Sequence, residues 1–230
     1  MNLKTVAALL ALPLLAACAP EIESSIYMQD VVAVAEKGEA ISVPAILRVP
    51  QGSKDECEKG LAHLIKNLAT LAPTSGEGKC IEKSTNGTTD QLAEIETQMV
   101  IATPDSPFDA KNLFLLEVTP VAGAAAGTHD LTFRLLKPIG DIVKVLSDGS
   151  GQMQVEFDPA IFLFNLVNDG TGSVSVLPNQ VFLDDLPRLP EMGPVTVDRR
   201  EDAALKFSDV AAAYVEQANA YRFATITIAP

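Results

Sequence analysis

The chain has 230 residues, 30 acidic against 17 basic, a formal net charge of −13, and 47% apolar side chains. That length supports a core without extra staples, and that apolar share describes a folded chain rather than a disordered one. The acidic excess argues against nucleic acid, whose phosphates attract Lys and Arg, and against direct docking of the domain on anionic lipid. With nine Phe, three Tyr and no Trp, the core must rest mainly on Val, Leu, Ile and Ala.

Lys4 precedes the apolar run TVAALLALPLLAA, about 13 residues where a membrane-spanning helix needs about 20. Pro20, Glu21 and Glu23 then end the apolar character, so residues 1–17 read as a cleaved signal peptide. Leu15-Ala16-Ala17-Cys18 resembles the bacterial lipobox, in which a signal peptidase cuts just before the cysteine. The resemblance implies cleavage between Ala17 and Cys18, a diacylglycerol on the Cys18 thiol and an acyl chain on the new amino terminus. Such chains contribute about 0.8 kcal/mol per buried methylene, so the membrane would be a permanent partner through Cys18. Ala19, where Asp favours inner-membrane retention, implies an outer-membrane address in the cell envelope. The competing reading is an ordinary secreted protein whose Cys18 has no part in processing. Residues 18–25 form a lipidated polar tether on the first reading, its last seven residues reaching at most about 25 Å.

Residues 26–230 are expected to form a single α+β domain. The opening SIYMQDVVAVAEKG suits strand or helix, and AISVPAILRVP suits an edge strand because Pro44 lacks a ladder donor. Residues Glu23, Ser24, Ile26, Tyr27, Asp30, Pro44, Ala45 and Cys57 are similar to the opening pattern of a group of small proteobacterial lipoproteins, some prophage-encoded. That likeness implies a phage-related setting and transfers no catalytic residue.

With Cys18 acylated, Cys57 and Cys80 remain as a pair in an oxidising compartment, which predicts a disulfide. Closing a loop of about 24 residues is worth roughly 3–4 kcal/mol by loop-closure entropy. A metal site would need more ligands than His63 alone and a CxxC spacing that the segment lacks. Between the cysteines, Leu61, Leu64, Ile65, Leu68 and Leu71 predict an amphipathic helix over about 57–72, capped by Ser53 or Asp55 and ended by Pro73. His63 lies off the leucine stripe and reads as solvated. TSGEG follows as a flexible return.

QLAEIETQMVIAT predicts a strand with Ile95, Thr97, Met99 and Ile101 on one face, and PDSP at 104–107 marks a subdomain break. Six strand-like runs follow: NLFLLEVTP, HDLTFRLLKP, DIVKVL, QMQVEFDP, IFLFNLV and SVSVLP. SDGSG and NDGTG between them carry Asp-Gly hairpin chemistry and lack the ligand pattern of a calcium loop. REDAALKFSDVAAAYVEQANAY predicts a second amphipathic helix over about 200–220, with Phe207, Ala211, Tyr214, Ala218 and Tyr221 on one stripe, before the closing strand RFATITI. The expected architecture is therefore mainly antiparallel sheet packed with two helices.

The chemistry-bearing residues are few. Only His63 and His129 are histidines, no serine sits in a GxSxG elbow, and HExxH, GxxxxGK[ST] and GxGxxG are absent. Asp184-Asp185 is a carboxylate pair without a recognisable partner. No catalytic residue, metal or cofactor is expected. The expectation is a non-enzymatic envelope lipoprotein that binds or masks another envelope component, a protein before a sugar. The alternatives are a scaffold of an envelope complex and a hydrolase whose site assembles only in three dimensions.

Overall fold

The computed structural model describes residues 20–85, 88–109, 111–149 and 161–228. The expected cleavage and lipidation site at Ala17 and Cys18, and the expected strand QMQVEFDP, lie outside them. Of the described residues 49% are in strands and 25% in helices. The expectation of an α+β sheet on two helices is thereby corrected: one curled, mixed sheet dominates, and four helices serve it.

In chain order the elements are β1 Glu21–Tyr27, α1 Met28–Lys37, β2 Ile41–Gln51, α2 Lys54–Leu68, β3 Thr74–Thr85, β4 Thr88–Ala102, β5 Phe114–Pro120, β6 Thr128–Leu135 and α3 Ile139–Gly149. They continue with β7 Phe162–Val167, β8 Val174–Pro178, β9 Val181–Leu183, β10 Leu186–Arg188, β11 Val195–Val197, β12 Asp202–Phe207, α4 Asp209–Ala218 and β13 Ala220–Ile228. A 3-10 turn at Pro190–Met192 joins β10 to β11. The 13 strands lie in the order β10-β9-β12-β7-β1-β2-β4-β5-β6-β13-β8-β11, with β3 paired on β4. Two neighbour pairs are parallel, β1 with β7 and β4 with β5.

β1 occupies most of the segment expected to be tether. Its alternation buries Ile22, Ser24 and Ile26, a period-two pattern that suits a strand and sets it at the centre of the sheet. β2 is likewise interior, between β1 and β4, so Pro44 does not mark an edge. The ladder from β1 to β2 runs from Glu21 opposite Arg48 to Ser24 opposite Ala45, and Pro44 stands just past its end. There the Ser24 hydroxyl donates to the Pro44 carbonyl at 2.8 Å, so the missing N–H costs no ladder bond. Across PDSP the sheet continues without a break, because Met99–Ala102 pair with Phe114–Glu117.

Five local expectations change. DIVKVL belongs to α3, where Pro138 opens the helix and Ile142 and Leu146, four apart, face inward. Ser147–Gly149 of SDGSG end that helix, and the remainder of the expected turn lies outside the described residues. The expected helix over 200–220 starts as strand β12, which buries Ala203, Leu205 and Phe207 and exposes the residues between them. Ser208 then caps α4 by accepting the Ala211 N–H. NDGTG is a turn, yet the strands it joins diverge: β7 pairs with β1 and β12, β8 with β13 and β11. TSGEG is not a loose return, because β3 runs through it with a register shift between Thr74 and Gly78.

The stapled helix forms, over Lys54–Leu68 instead of 57–72, which leaves Leu71 in the turn beyond it. Ser53 caps α2 through the Glu56 N–H, and the Cys57–Cys80 disulfide joins its first turn to β3 across a Cα separation of 6.0 Å. Ile95, Thr97, Met99 and Ile101 share the buried face of β4.

Curling brings the two arms of the sheet face to face. Phe133 of β6 meets Phe162, Phe164 and Phe207, with ring centroids 4.5, 5.3 and 5.9 Å away. Phe223 of β13 lies 5.3 Å from Phe164 and 5.5 Å from Phe207. Six of the scarce phenylalanines therefore fill the interior where a wider barrel would hold a ligand.

Candidate functional site

The convex face of the sheet carries a charge lattice. Arg48 reaches Glu23 at 2.6 Å, Glu94 at 2.8 Å and Glu21 at 3.5 Å, while Lys83 pairs with Glu21 and Lys79 with Glu94. Burial opposes ionisation of Glu94, but hydrogen bonds from Lys79 and Arg48 hold its carboxyl below the ordinary range. A shallow cleft lined by Glu77, Gly78, Lys79, Glu94 and Glu96 lies over it. The basic partners of Glu94 are already engaged, so this region reads as cross-strand stitching between β1, β2, β4 and β3.

The residues singled out in the sequence do not converge. His63 is exposed on α2 beside Asn67, 3.2 Å away. His129 stands at the start of β6 between Pro120 and Ile226, lines neither cleft, and is held below the ordinary imidazole range by burial. Asp184-Asp185 forms the tip of the β9–β10 hairpin, both residues left-handed, and Asp184 accepts the Ala204 N–H at 2.9 Å. Among the described residues no group of His, Cys, Asp and Glu could hold a metal ion.

The residues of the opening pattern are better explained. Glu23 pairs with Arg48, Ser24 with Pro44, Ile26 is buried and Cys57 is bridged. Asp30 sits in the first turn of α1 beside Asp169, whose carboxylate accepts the Gln29 N–H. Burial, then the Asp169 charge, raises its carboxyl above the usual range. Tyr27 ends β1 opposite Val167 of β7 and is 44% exposed.

A more distinctive surface lies where β8 ends, α4 ends and β13 begins. Asn179, Gln180, Tyr214, Ala220, Tyr221 and Arg222 line a cleft of 320 Å³. Tyr221 donates its hydroxyl to the Asn179 carbonyl at 2.7 Å, and the Tyr214 ring lies 5.7 Å from it. Burial, reinforced by Tyr214, pushes the Tyr221 phenol up to about 12, so it stays a protonated donor. Asn179 holds the Arg222 carbonyl through its side chain at 2.8 Å. Arg222 meets Asp130 at 3.1 Å and is still 56% exposed.

Strand directions place this cleft. β7 runs with β1 and β12 runs against it, so β12 ends at the rim where β1 begins. Pairings through β2, β4, β5 and β6 make β13 begin, and β8 end, at that same rim. α4 crosses the rim from β12 to β13. Its inward side buries Ala211, Ala212 and Val215, and its outward side exposes Val210, Ala213 and Tyr214. Leu189 and Met192 follow β10 on this rim, also exposed. The expected stripe joined Tyr214 to Ala211 and Tyr221, but Ala211 faces the core and Tyr221 belongs to β13. The overlooked signal is AAAYV, which is apolar all round, so a one-sided helix must leave part of it in water.

No curated protein and no solved structure matches the chain. The family model described as a domain of unknown function (DUF7424) matches residues 20–229, and the chain belongs to that family.

Proposed function

We propose that the chain is a lipid-anchored envelope protein of non-enzymatic type, cut before Cys18 and acylated there, that binds or masks a protein at the membrane surface. The observation that carries this reading is the rim. Leu189, Met192, Val210 and Tyr214 are exposed on it, and β1 begins on it at Glu21, three residues after Cys18. β12 hands over to α4 two strands from β1, about 10 Å away. An acyl chain on Cys18 would therefore hold this surface at the bilayer. The acids Glu191, Asp209 and Glu216 in the same segments disfavour anionic lipid as its occupant. Two tyrosines, an arginine and amide side chains in one cleft have the composition of a protein-binding surface. The family match begins at Pro20 and leaves the leader outside the shared domain, which is also consistent with this reading.

Two measurements test it. Labelled palmitate should be incorporated by the wild type and lost in Cys18→Ser. A photo-crosslinking residue at position 214 should capture one membrane protein of the envelope, whereas one at Tyr27 on the opposite rim should not. Retained label in Cys18→Ser, or the same adducts from both positions, would reject the proposal.

A further inference from the structure

The cleft beside Tyr214 contains an unoccupied length of sheet edge. β8 pairs with β13 only from Pro178 opposite Ala224 to Val174 opposite Ile228. The first three residues of β13 pair on their other side with β6, Ala220 to Arg134, Tyr221 to Phe133 and Arg222 to Thr132. Among the described residues no strand pairs with the β8 side of Ala220–Arg222.

The backbone hydrogen bonds set the phase of the strand there. Leu135 donates to the Asn219 carbonyl, which makes residue 219 face β6. By alternation Ala220 faces away from β6, toward the cleft, and so does Arg222, whose carbonyl already takes the Asn179 amide. Asn179 and Gln180 lead the chain away, with Gln180 in the left-handed region and its carbonyl accepting the Ser208 hydroxyl. The result is a notch in line with β8. It offers the outward N–H and C=O of Ala220 and the N–H of Arg222, with Asn179 holding the carbonyls of Arg222 and Phe223 at its far end, a floor of Tyr221 and a wall of Tyr214.

We infer that this notch receives an extended segment of the partner protein, added as a short strand against Ala220–Arg222 and continuing the line of β8. Main-chain hydrogen bonds supply the affinity in such strand addition, and flanking side chains supply the selection. Tyr214 provides an aromatic wall for an apolar side chain of the segment. Among the described residues Arg222 is the only charged one lining the cleft. One nitrogen of its guanidinium meets Asp130 on the β6 side and the side chain is still 56% exposed, so it can take a second carboxylate, and the segment carries an acidic residue opposite it. This rests on the proposed protein-binding role of the rim and adds the form of the ligand.

The test uses full-length protein in detergent micelles and a displayed library of random heptapeptides, counter-selected on Tyr214→Ala. Tyr214 is 55% exposed and packs only on the Tyr221 ring among the aromatic pairs described, so its loss should leave the circular dichroism unchanged and lower melting by no more than about 4 °C. Enriched peptides should carry Asp or Glu, and synthetic copies should bind Tyr214→Ala and Arg222→Gln at least tenfold more weakly. N-methylation along the peptide should abolish binding at alternate residues only, since a strand turns every second amide toward β13. Failure to enrich a Tyr214-dependent peptide, or an N-methyl scan without alternation, overturns strand addition. A position-214 crosslink to a membrane protein alongside that failure would leave the docking role standing and remove only the extended segment.

Discussion

The contact between Phe133 and Phe162 tests the curl of the sheet directly. β7 and β6 are five steps apart in the strand order, β7-β1-β2-β4-β5-β6. In a flat sheet five spacings of about 4.8 Å would separate them by about 24 Å. The ring centroids are 4.5 Å apart because the arms fold onto each other, and both side chains are essentially fully buried. Phe133→Leu and Phe162→Leu should each cost about 1–2 kcal/mol, mild enough to keep a folded protein for measurement. Rings in contact couple by about 0.5–1.5 kcal/mol beyond their buried area, whereas distant sites add within about 0.3–0.5 kcal/mol. Urea denaturation of the two single variants and the double variant closes the cycle. Coupling near 1 kcal/mol is expected, and simple additivity would refute the face-to-face packing. The Phe114–Phe133 pair is the contrast, since β5 and β6 are neighbours and would bring those rings together in a flat sheet as well.

Three further outcomes are expected. Replacing Cys57 and Cys80 together by Ala should lower stability by about 3.4 kcal/mol through restored loop entropy, moving the urea midpoint down by roughly 1–1.5 M; a shift under about 0.3 M would show that the crosslink constrains little. Gly123 and Gly127 both have positive φ, but only at Gly127 would a Cβ strike backbone, the Ile228 carbonyl at 2.4 Å. Gly123→Ala should therefore cost about 1 kcal/mol and Gly127→Ala clearly more, by thermal or urea unfolding; equal losses would deny the close approach of this turn to β13. The lowered carboxyl of Glu94 means the folded state binds its proton less readily than the unfolded state. Its stabilisation is present at neutral pH and lost as pH falls through the folded value, so Glu94→Gln should cost about 1 kcal/mol at pH 7 and nothing in strong acid. A penalty that persists in acid would assign the effect to packing.

Much of the local structure was legible where one period stood alone. The leucines of α2 recur at helical spacing, Ser53 is an N-cap by chemistry, and β4 alternates cleanly, so each formed as its pattern dictates. Segments that satisfied two patterns were decided elsewhere. DIVKVL alternates like a strand, but Pro138 before it and the packing of Ile142 and Leu146 select a helix. DAALKF has helix-forming residues, yet its Ala203, Leu205 and Phe207 reach the core only as a strand between β7 and β9.

The sequence by itself determined the charge balance and most strands, because these depend on residue identity and short-range period, and it pointed to Cys57–Cys80 only through the lipobox resemblance of Cys18, a pair that the structure forms. The tertiary structure alone decided that β1 and β2 are interior, that the sheet curls upon its phenylalanines, and that Tyr214 points outward. Those outcomes depend on which distant strands pair and on where β8 stops relative to β13. Pairing between segments far apart in the chain is a property of the whole sheet, and no window of neighbouring residues contains it.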